Sequence, residues 1–276
     1  MRADLHLHTY YSDGLQSPDD IAATAKANGV ELVSVTDHDT ALAYPELFDC
    51  CIRRGVKAVS GIEVSAYYKG VRVHTLGYGI DPEHPVFAEF LKELCDGSYE
   101  RADDIITKLN RCGVKLTLSE VAKYKKSQAA PIHAMHIARA GAVRGYCSSP
   151  FAFHAQYLSN GSPAYSELRR PSPEEAVEAI SACGGFASLA HPGRIELEKE
   201  ELISKVKSMV ACGLKGIEAV YSTHTQLQTE YYKEMAKEYG LCVTGGSDTH
   251  IKDGSKRIGT PVFDCGEELW QRLSNT

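Results

Sequence analysis

The sequence predicts a barrel-like α/β fold with a helical insertion. Short apolar runs alternate with helical patterns in the first third of the chain and again after residue 171, as βαβ units of a mostly parallel sheet require. Between about residues 85 and 165 the pattern is helical and polar, without a convincing strand. The length of 276 residues suits a single α/β barrel.

Strands and helices alternate in the N-terminal third. The predicted strands cover residues 3–9, 31–39, 57–68 and 71–80, and the last two join in a hairpin at Lys69 and Gly70. The predicted helices cover residues 17–29 and 43–54. Ser17 as the cap and Pro18 at the first helical position mark the start of the first helix, and Gly55 ends the second.

The alternation resumes near residue 172. Ser172 and Glu175 have the spacing of a capping box. Strands are predicted over residues 186–193, 216–222 and 242–250, with helices before Gly213 and around Tyr231 to Tyr239. We therefore predict a barrel made of residues 1–84 and 166–276 and a helical insertion over 85–165 that belongs to the same domain unit.

Composition excludes some classes of protein. A net charge of −6 argues against a protein whose main function is to bind a nucleic-acid backbone. The N-terminus lacks the apolar region of a signal peptide, and no apolar run is long enough to cross a membrane. The nine cysteines are scattered without a CxxC pair, which predicts reduced thiols in the cytoplasm and argues against a cysteine zinc site. The sequence does not indicate an oligomeric state.

Histidines and carboxylates recur at the ends of the predicted strands. His6 and His8 are two apart on the first strand, so both side chains project from the same face. In α/β barrels the active site forms where the strands end. Residues of this kind at or near later strand ends, or in the loop after the first strand, are Asp13, Asp37, His38, Glu63, His74, His191, Asp248 and His250.

These donors predict a metal centre. Nitrogen and oxygen ligands without thiolate suit Zn, Mn or Fe. Because the donors exceed what one ion can use, we expect two or three divalent ions that share bridging carboxylates. His84, His133 and His154 fit ordinary core or surface histidines better than ligands.

The sequence resembles the PHP family, named for polymerase and histidinol phosphatase, over nearly its whole length. The motifs that carry the resemblance are Asp4-Leu-His6-Leu-His8-Thr9, Ser12-Asp13-Gly14, Thr36-Asp37-His38-Asp39, Gly61-Ile-Glu63, His74, Leu189-Ala-His191-Pro192 and Gly245-Gly-Ser-Asp248-Thr-His250. The most similar subgroup is that of the single-domain bacterial phosphoesterases, which include nucleotide phosphatases, cyclic phosphodiesterases and 5′-end ribonucleases. The resemblance implies a distorted (β/α)7 TIM-like barrel.

The resemblance also implies a division of the ligands among three ions. The first ion would be bound by His6, His8, Glu63 and Asp248. Glu63 would bridge to a second ion held by His74 and by His136 of the insertion, for which His133 is the competitor. The third ion would be bound by Asp13, His38 and His250.

One position departs from the family pattern. The family segment usually carries an arginine two residues before the insertion histidine, where this chain has Ala134. That arginine is expected to contact substrate phosphate, so its loss argues against substrates with two phosphates. Arg139 or Arg144 can replace it, although each also fits a solvated helix residue. The basic residues Lys123, Lys125, Lys126, Arg169 and Arg170 fit either a solvated face or contact with a polynucleotide.

The expected chemistry is hydrolysis of a phosphate mono- or diester: a nucleotide bisphosphate, a cyclic phosphodiester or an RNA 5′ end. We expect a hydroxide that bridges two ions to attack phosphorus. His191 would contact phosphate or protonate the leaving oxygen. Arg194 would bind phosphate, the alternative being an ion pair with Glu196 or Glu198.

Two further residues lie close to the predicted strand ends. Asp37 would act by orienting the His38 imidazole. His224 either faces substrate or is an ordinary loop histidine.

Two rival functions share part of this pattern. A zinc amidohydrolase also begins with His-x-His on its first strand, but it usually needs a strand-borne lysine, and the middle strands offer none that points inward. A PHP module that has lost catalysis and serves as a partner domain would not need the full set of ligands.

Overall fold

The computed structural model describes residues 1–166, 170–251 and 257–274. The strands are β1 (Arg2–Leu7), β2 (Leu32–Val35), β3 (Lys57–Val59), β4 (Gly61–Val64), β5 (Tyr67–Tyr68), β6 (Val71–Arg72), β7 (Thr75–Tyr78), β8 (Phe186–Leu189), β9 (Gly216–Tyr221), β10 (Cys242–Gly246) and β11 (Phe263–Asp264). The α-helices are α1 (Pro18–Ala27), α2 (Tyr44–Arg54), α3 (Pro85–Arg111), α4 (Leu118–Ala122), α5 (Ala134–Val143), α6 (Pro150–Phe153), α7 (Pro173–Ala182), α8 (Lys199–Ala211), α9 (Gln226–Tyr239) and α10 (Glu267–Ser274).

Within these ranges the strands form two main sheets and a small ribbon. The first sheet has the order β11-β1-β2-β3, with β1, β2 and β3 parallel and β11 antiparallel to β1. The second has the order β10-β9-β8-β7-β4, and β5 pairs with β6 as a two-stranded ribbon. The prediction of a mixed α/β fold is confirmed.

The two sheets meet edge to edge through isolated backbone hydrogen bonds. On one side Asp248 N donates to His6 O at 2.8 Å and His8 N donates to Thr249 O at 3.1 Å. On the other side Asp39 N donates to Glu63 O at 3.0 Å. Strand pairing among the described residues does not join the sheets into one closed barrel, so the predicted (β/α)7 barrel is not confirmed.

The segment predicted as one strand over residues 57–68 changes sheet at Ser60. β3 pairs with β2 in the first sheet, whereas β4 pairs with β7 in the second. Gly61 allows the chain to pass this close to β2, because any side chain there would clash with it. A Cβ atom at this position would lie only 2.7 Å from the Val35 carbonyl oxygen and 2.3 Å from Ser34 Oγ. The interruption depends on contact with β2, which the alternation of apolar residues does not reveal.

β7 runs opposite to its two neighbours. It pairs antiparallel with β4 and with β8, whereas β8, β9 and β10 are parallel. The reversal follows from the tight connection at Lys69 and Gly70, since a short hairpin joins antiparallel strands and a parallel pair needs a longer crossover. The sheet is therefore less uniformly parallel than the sequence predicts.

Local helix signals are confirmed where they were predicted. Ser17 and Asp20 form a capping box at the start of α1, and Ser172 and Glu175 form one at the start of α7. Gly55 ends α2 in the left-handed conformation, with φ of 64°. The helix predicted around Tyr231 begins earlier, at Gln226, where Thr225 caps it.

Four apolar clusters hold these elements together. One packs the second sheet against α7, α8 and α9, and another packs the first sheet against α1 and α2. A third joins residues of both sheets, such as Leu5, Leu76 and Phe186. The fourth lies within residues 99–164 and includes Ile106, Ile137 and other side chains of α3, α5 and α6.

α3 connects the insertion to the rest of the chain. Its first half contributes Phe87 and Leu94 to the cluster around the second sheet, and its second half contributes Ile105 and Leu109 to the separate cluster. The described part of 85–165 contains no strand. This long helix therefore fixes the insertion relative to the edge where the sheets end.

Two further observations concern the class of protein. No helix in the described ranges combines the length and the apolar character needed to cross a membrane. The nine cysteines, all within those ranges, are free thiols.

Candidate metal centre and active site

His6 and His8 lie side by side at the end of β1, and both are fully buried. Their Nε2 atoms are 3.3 and 3.2 Å from Glu63 Oε2, which β4 supplies from the other sheet. They are 3.6 and 3.2 Å from Asp248 Oδ1, just after β10. Ligand atoms of these four residues lie within 4.8 Å of one another, so they can hold one metal ion.

A second donor group consists of His38, Glu63 and His74. His38 Nδ1 is 3.1 Å from Glu63 Oε2, and His74 Nδ1 is 2.7 Å from Glu63 Oε1. His74 comes directly before β7 rather than after a strand. Because β7 is antiparallel to its neighbours, its start lies at the edge where the parallel strands end, and His74 reaches the same centre.

A third donor group consists of His8, Asp13, His38 and His250. His250 Nε2 is 3.2 Å from Asp13 Oδ1. The rings of His8 and His250 stack with centroids 4.1 Å apart, and the His8 and His38 centroids are 4.7 Å apart. His8, His38 and Glu63 each belong to two groups, so the three groups are contiguous.

Burial and mutual charge set the protonation of the cluster. Burial raises the pKa of Glu63, but His38, His74 and His6 outweigh it and hold that pKa well below its usual range. The pKa of Asp248 is held low in the same way, against burial, chiefly by His6 and His8. Burial lowers the pKa of His38 and His74 to about 4 in spite of Glu63. The carboxylates are therefore ionised and these two imidazoles neutral at pH 7, the states that ligate metals.

His6 and His8 behave differently. Burial lowers the pKa of His8, but the carboxylates of Asp248 and Glu63, each 3.2 Å from its Nε2, outweigh burial and raise it to about 10. For His6 burial again lowers the pKa, and the charges of Glu218, Glu63 and Asp248 raise it well above its usual range. In the absence of metal both imidazoles are therefore protonated on both ring nitrogens. Their positive charge lies between the Glu63 and Asp248 carboxylates, where a metal ion would otherwise bind.

The donor set fits divalent metal ions. Several buried ring nitrogens and carboxylate oxygens of the groups make no hydrogen bond within the described structure: His6 Nε2, His8 Nδ1 and Nε2, Asp13 Oδ1, His38 Nδ1 and Glu63 Oε2. Buried polar atoms without partners are costly, and several of them facing one point are expected where a cation binds.

His191 also lies in this cluster. Its Nε2 is 2.9 Å from Glu63 Oε1, the oxygen that His74 Nδ1 approaches at 2.7 Å. The backbone of His191 has φ of 27°, an uncommon conformation for a residue with a side chain. The sequence predicts contact with substrate for this residue, and the structure places its ring against Glu63 but outside the three donor groups.

His136 lies outside the three donor groups. Its Nδ1 accepts a hydrogen bond from the backbone N–H of His133 at 3.1 Å, so the neutral ring carries its proton on Nε2. The competitor His133 has its ring 6.0 Å from that of His38. The expected ligand from the insertion is thus not among the groups that the structure brings together, and His191 occupies the position beside His74.

Asp37 is held by hydrogen bonds from the loop that follows β1. Its Oδ1 accepts hydrogen bonds from Thr9 N at 2.7 Å and Ser12 Oγ at 2.5 Å, and its Oδ2 accepts one from Thr9 Oγ1 at 2.5 Å. The predicted role of orienting His38 differs from this arrangement. Asp37 instead fixes the loop that carries Asp13.

Arg194 reaches the edge of the centre. Its Nη1 is 3.0 Å from the Tyr221 hydroxyl and 3.4 Å from Asp248 Oδ2. Half of the side chain is exposed, so the guanidinium group is accessible to an anionic substrate. The partner is a carboxylate of the centre rather than Glu196 or Glu198.

His224 is occupied by structural contacts. Its Nε2 accepts a hydrogen bond from Gly193 N at 3.1 Å, and its Nδ1 donates to Ala219 O at 3.0 Å. Both ring nitrogens are therefore used within the fold. His224 supports the loop of Arg194, an arrangement that fits the alternative of a loop histidine better than contact with substrate.

The comparison with known proteins decides the family. The profile of the PHP domain matches residues 4–253. The chain belongs to the PHP family. It is 30% identical over 260 residues to a 3′,5′-nucleoside bisphosphate phosphatase of Chromobacterium violaceum, covering 93% of this chain and 90% of that protein. It is 31% identical over 261 residues to a phosphoribosyl 1,2-cyclic phosphate 1,2-diphosphodiesterase of Eggerthella lenta, covering 92% and 96%.

Solved structures of PHP-like proteins have the same fold. A protein of Bifidobacterium adolescentis described as a metal-dependent phosphoesterase superposes with a TM-score of 0.87 at 27% identity, over 98% of this chain and 94% of the other. A protein of Chromobacterium violaceum described as an amidohydrolase, with bound sulfate, gives a TM-score of 0.88 at 28% identity, over 100% and 96%. The predicted assignment to PHP phosphoester hydrolases is confirmed at the level of the family.

The PHP site contains a carboxylate that sequence reasoning missed. Glu218 on β9 is fully buried, and its Oε1 lies 2.9 Å from His6 Nδ1. Its Oε2 accepts a hydrogen bond from the backbone N–H of His191 at 2.8 Å. One carboxylate thus directs His6 Nε2 toward the centre and holds the loop of His191 in its unusual conformation. The only sequence signal was a glutamate in the middle of an apolar strand.

Replacement of Glu218 by glutamine is expected to weaken metal binding by about 10- to 100-fold, the usual effect of removing a hydrogen-bond partner from a metal-ligating histidine. Titration calorimetry with Mn²⁺ measures the change. Glu174→Gln is the matched control, because Glu174 is a partly buried carboxylate that pairs with Lys205 instead. Equal Mn²⁺ affinity in the Glu218 variant and the wild type would show that this carboxylate does not position His6.

Proposed function

We propose that this PHP protein is a metal-dependent phosphoesterase whose substrate is a small phosphate ester, a nucleotide or a short RNA. The observation that carries the proposal is the sharing of His8, His38 and Glu63 between three contiguous donor groups. Such sharing places ions close together, as in sites that stabilise the attacking and leaving oxygens of a phosphoryl transfer. The bond hydrolysed belongs to a nucleotide bisphosphate, a cyclic phosphodiester or an RNA 5′ end.

We assign the ligands of two or three ions as follows. The first ion is held by His6, His8, Glu63 and Asp248, the second by Glu63 and His74 together with His191, and the third by Asp13, His38 and His250. The nitrogen and oxygen donors suit Mn, Fe or Zn. When bound, such ions neutralise phosphate oxygens and lower the pKa of water toward 7.

The chain's own residues orient the substrate. Arg194 is poised to bind a phosphate oxygen, because its guanidinium group is held beside the centre and half exposed. The Tyr221 hydroxyl donates to Asp248 Oδ2 at 2.6 Å, and burial, with the charge of Asp248, raises the pKa of this tyrosine. Tyr221 therefore stays protonated and keeps both Asp248 and Arg194 in place.

The amidohydrolase alternative has less support. The family's named relatives cleave phosphate esters. A silent partner domain would not need three complete donor groups.

The experiment that tests the function is phosphate release from a panel of esters by the Mn²⁺-supplemented protein. The panel contains adenosine 3′,5′-bisphosphate, a cyclic phosphodiester and a short 5′-phosphorylated RNA, each with and without chelator. We expect turnover of at least one member, abolished by the chelator. Equal inertness toward every ester with metal bound would contradict the proposal.

Metal binding is expected to release protons. His6 and His8 carry a second proton in the metal-free protein, the pKa of His8 being about 10, and an ion must displace it. Affinity for Mn²⁺ should therefore rise with pH between about 6.5 and 9, by roughly tenfold per pH unit for each displaced proton. Titration calorimetry in two buffers that differ in ionisation enthalpy measures the number of protons released for each ion bound. An affinity that is constant over this range would show that His6 and His8 do not carry these second protons.

The finer architecture is also a proposal. The two sheets correspond to a distorted (β/α)7 barrel of residues 1–84 and 166–276, with residues 85–165 as the helical insertion. The separate apolar cluster of the insertion supports this division.

We also propose that the protein is located in the cytoplasm. The nine cysteines are free thiols, which is the state expected in that reducing compartment.

A further inference from the structure

The loop between β1 and α1 carries Asp13, one of the donors assigned to the third ion. It is folded tightly over the end of β1, since Ser12 N and Gly14 N donate to Thr9 O at 3.2 and 3.0 Å. A Cβ atom at Gly14 would lie 2.6 Å from His8 O, so the backbone here is packed directly against the strand. The conformation of this loop therefore decides where the Asp13 carboxylate lies.

The ends of both sheets hold the loop on either side of Asp13. Asp37, which follows β2, accepts hydrogen bonds from the backbone N–H and the hydroxyl of Thr9. On the other side, Leu15 N donates to His250 O, beyond β10, at 2.8 Å. The carbonyl group of Asp13 itself is held by a different part of the chain.

Arg139 on α5 supplies that contact. Its Nη2 donates a hydrogen bond to Asp13 O at 2.6 Å, and the two residues are 126 positions apart in the sequence. Hydrogen bonds from a charged donor are stronger than those from a neutral one. Because this bond goes to the backbone, the Asp13 carboxylate remains directed at the centre, with Oδ1 3.2 Å from His250 Nε2. Arg139 thus fixes Asp13 without occupying its ligand atoms.

The contact links the insertion to the metal centre. Ile137, two residues before Arg139 on α5, belongs to the separate apolar cluster of the insertion. Lys126, one of the basic residues noted in the sequence, has its Nζ 4.5 Å from the centroid of the Tyr10 ring in the same loop. Of that basic set, Arg169 lies outside the described residues. Two side chains of the insertion therefore reach the loop that carries Asp13.

We propose that Arg139 is a positioning residue for Asp13, through which the helical insertion sets the affinity of the third ion site. This inference rests on the proposed function, which assigns that ion to Asp13, His38 and His250. A loop that is already held in the ligating conformation loses less conformational entropy when the ion binds. This role differs from both interpretations that the sequence allows for Arg139, a substitute for the family arginine and a solvated helix residue.

Titration calorimetry of the metal-free, full-length protein with Mn²⁺ tests this role. In Arg139→Gln we expect one ion to bind about 10- to 100-fold more weakly, the usual effect of losing a contact behind a metal ligand. The other ions should bind as before. Asp13→Asn should weaken or abolish binding of the same ion. Wild-type affinity for every ion in Arg139→Gln would overturn the proposal.

The matched control is Arg144→Gln. It removes a positive charge from the end of the same helix, at a residue that pairs with Glu120 at 3.1 Å. This variant should bind Mn²⁺ as the wild type does. Arg139→Lys keeps a charged donor without the planar guanidinium group, so it should weaken the ion less than Arg139→Gln. If Arg139→Gln lowers the Tm, the comparison is made with Arg139→Lys.

The double variant shows whether Arg139 acts through Asp13. If it does, Asp13→Asn/Arg139→Gln should bind Mn²⁺ as Asp13→Asn alone does, because two changes that act through one group are not additive. A further loss of affinity in the double variant would show that Arg139 acts by another route. Binding of all ions by Asp13→Asn would equally overturn the proposal.

Steady-state kinetics distinguishes this role from direct contact with substrate. Loss of a positioning residue should raise the Mn²⁺ concentration for half-maximal activity about tenfold or more, with KM for the ester little changed at saturating Mn²⁺. Loss of a phosphate contact would instead raise KM and leave the Mn²⁺ affinity unchanged. That second result would overturn the proposal and assign Arg139 to the substrate.

The calorimetric measurement needs no turnover, so it separates this inference from the proposed function. Selective weakening of one ion in Arg139→Gln supports the positioning role even if no phosphate ester is hydrolysed. Hydrolysis of an ester, combined with equal Mn²⁺ binding by the wild type and Arg139→Gln, retains the phosphoesterase and overturns the positioning role.

Discussion

Replacement of Glu63 by glutamine is expected to abolish activity, with a fall in kcat/KM of about a thousandfold or more. The Glu63 carboxylate is approached by five imidazoles. Its Oε2 lies 3.1 to 3.3 Å from ring nitrogens of His6, His8 and His38, and its Oε1 lies 2.7 and 2.9 Å from those of His74 and His191. A glutamine replaces one of these oxygens by an N–H donor, which cannot ligate an ion.

Metal content should fall together with activity in this variant. Glu63 belongs to two donor groups, so we expect the loss of one or two ions per chain by elemental analysis. Glu230→Gln is the control, because Glu230 pairs with Lys233 on the surface of α9. Full metal content with full turnover in the Glu63 variant would show that the shared carboxylate is dispensable.

Replacement of His191 by alanine is expected to lower turnover by about 100- to 1,000-fold. Two roles for His191 give different results in the same measurement. As a metal donor beside Glu63 and His74, its loss should reduce the metal content by about one ion and slow all esters alike. As a proton donor to the leaving oxygen, its loss should leave the metal content unchanged and spare esters with a good leaving group, such as a nitrophenol.

The distance of 2.9 Å from His191 Nε2 to Glu63 Oε1 favours the first result. His84→Ala is the control, because His84 directly precedes α3 and is not a member of any of the three donor groups. An unchanged metal content, with activity retained on the nitrophenyl ester, would show instead that His191 protonates the leaving oxygen, as the sequence predicts.

The sequence predicted best what depends on near neighbours. The cap at Ser17 and the capping box of Ser172 and Glu175 are set by residues at most three apart, and their helices begin where expected. The alternation of side chains along a strand placed His6 and His8 on one face. Because strand ends meet at one edge of a sheet, Glu63 and Asp248 could be assigned to the same site without their distances.

What the sequence could not reveal depends on how distant segments approach. His191 and Glu63 are 128 residues apart, and Glu218 and His6 are 212 apart. The reversal of β7 and the change of sheet at Ser60 follow from strand pairing, which apolar alternation does not encode. His136 matches the family motif, but it is not a member of the three donor groups formed by the described residues.

The most direct test of the proposed metal-dependent phosphoesterase activity is to count metal ions and measure turnover in the same sample. Elemental analysis of the purified protein, supplemented with Mn²⁺ and freed of excess, is paired with phosphate release from the ester panel. We predict two or three ions per chain, and activity that falls and returns in proportion as they are removed and restored. A protein that binds no ions, or one that holds them and hydrolyses no phosphate ester, would contradict this function.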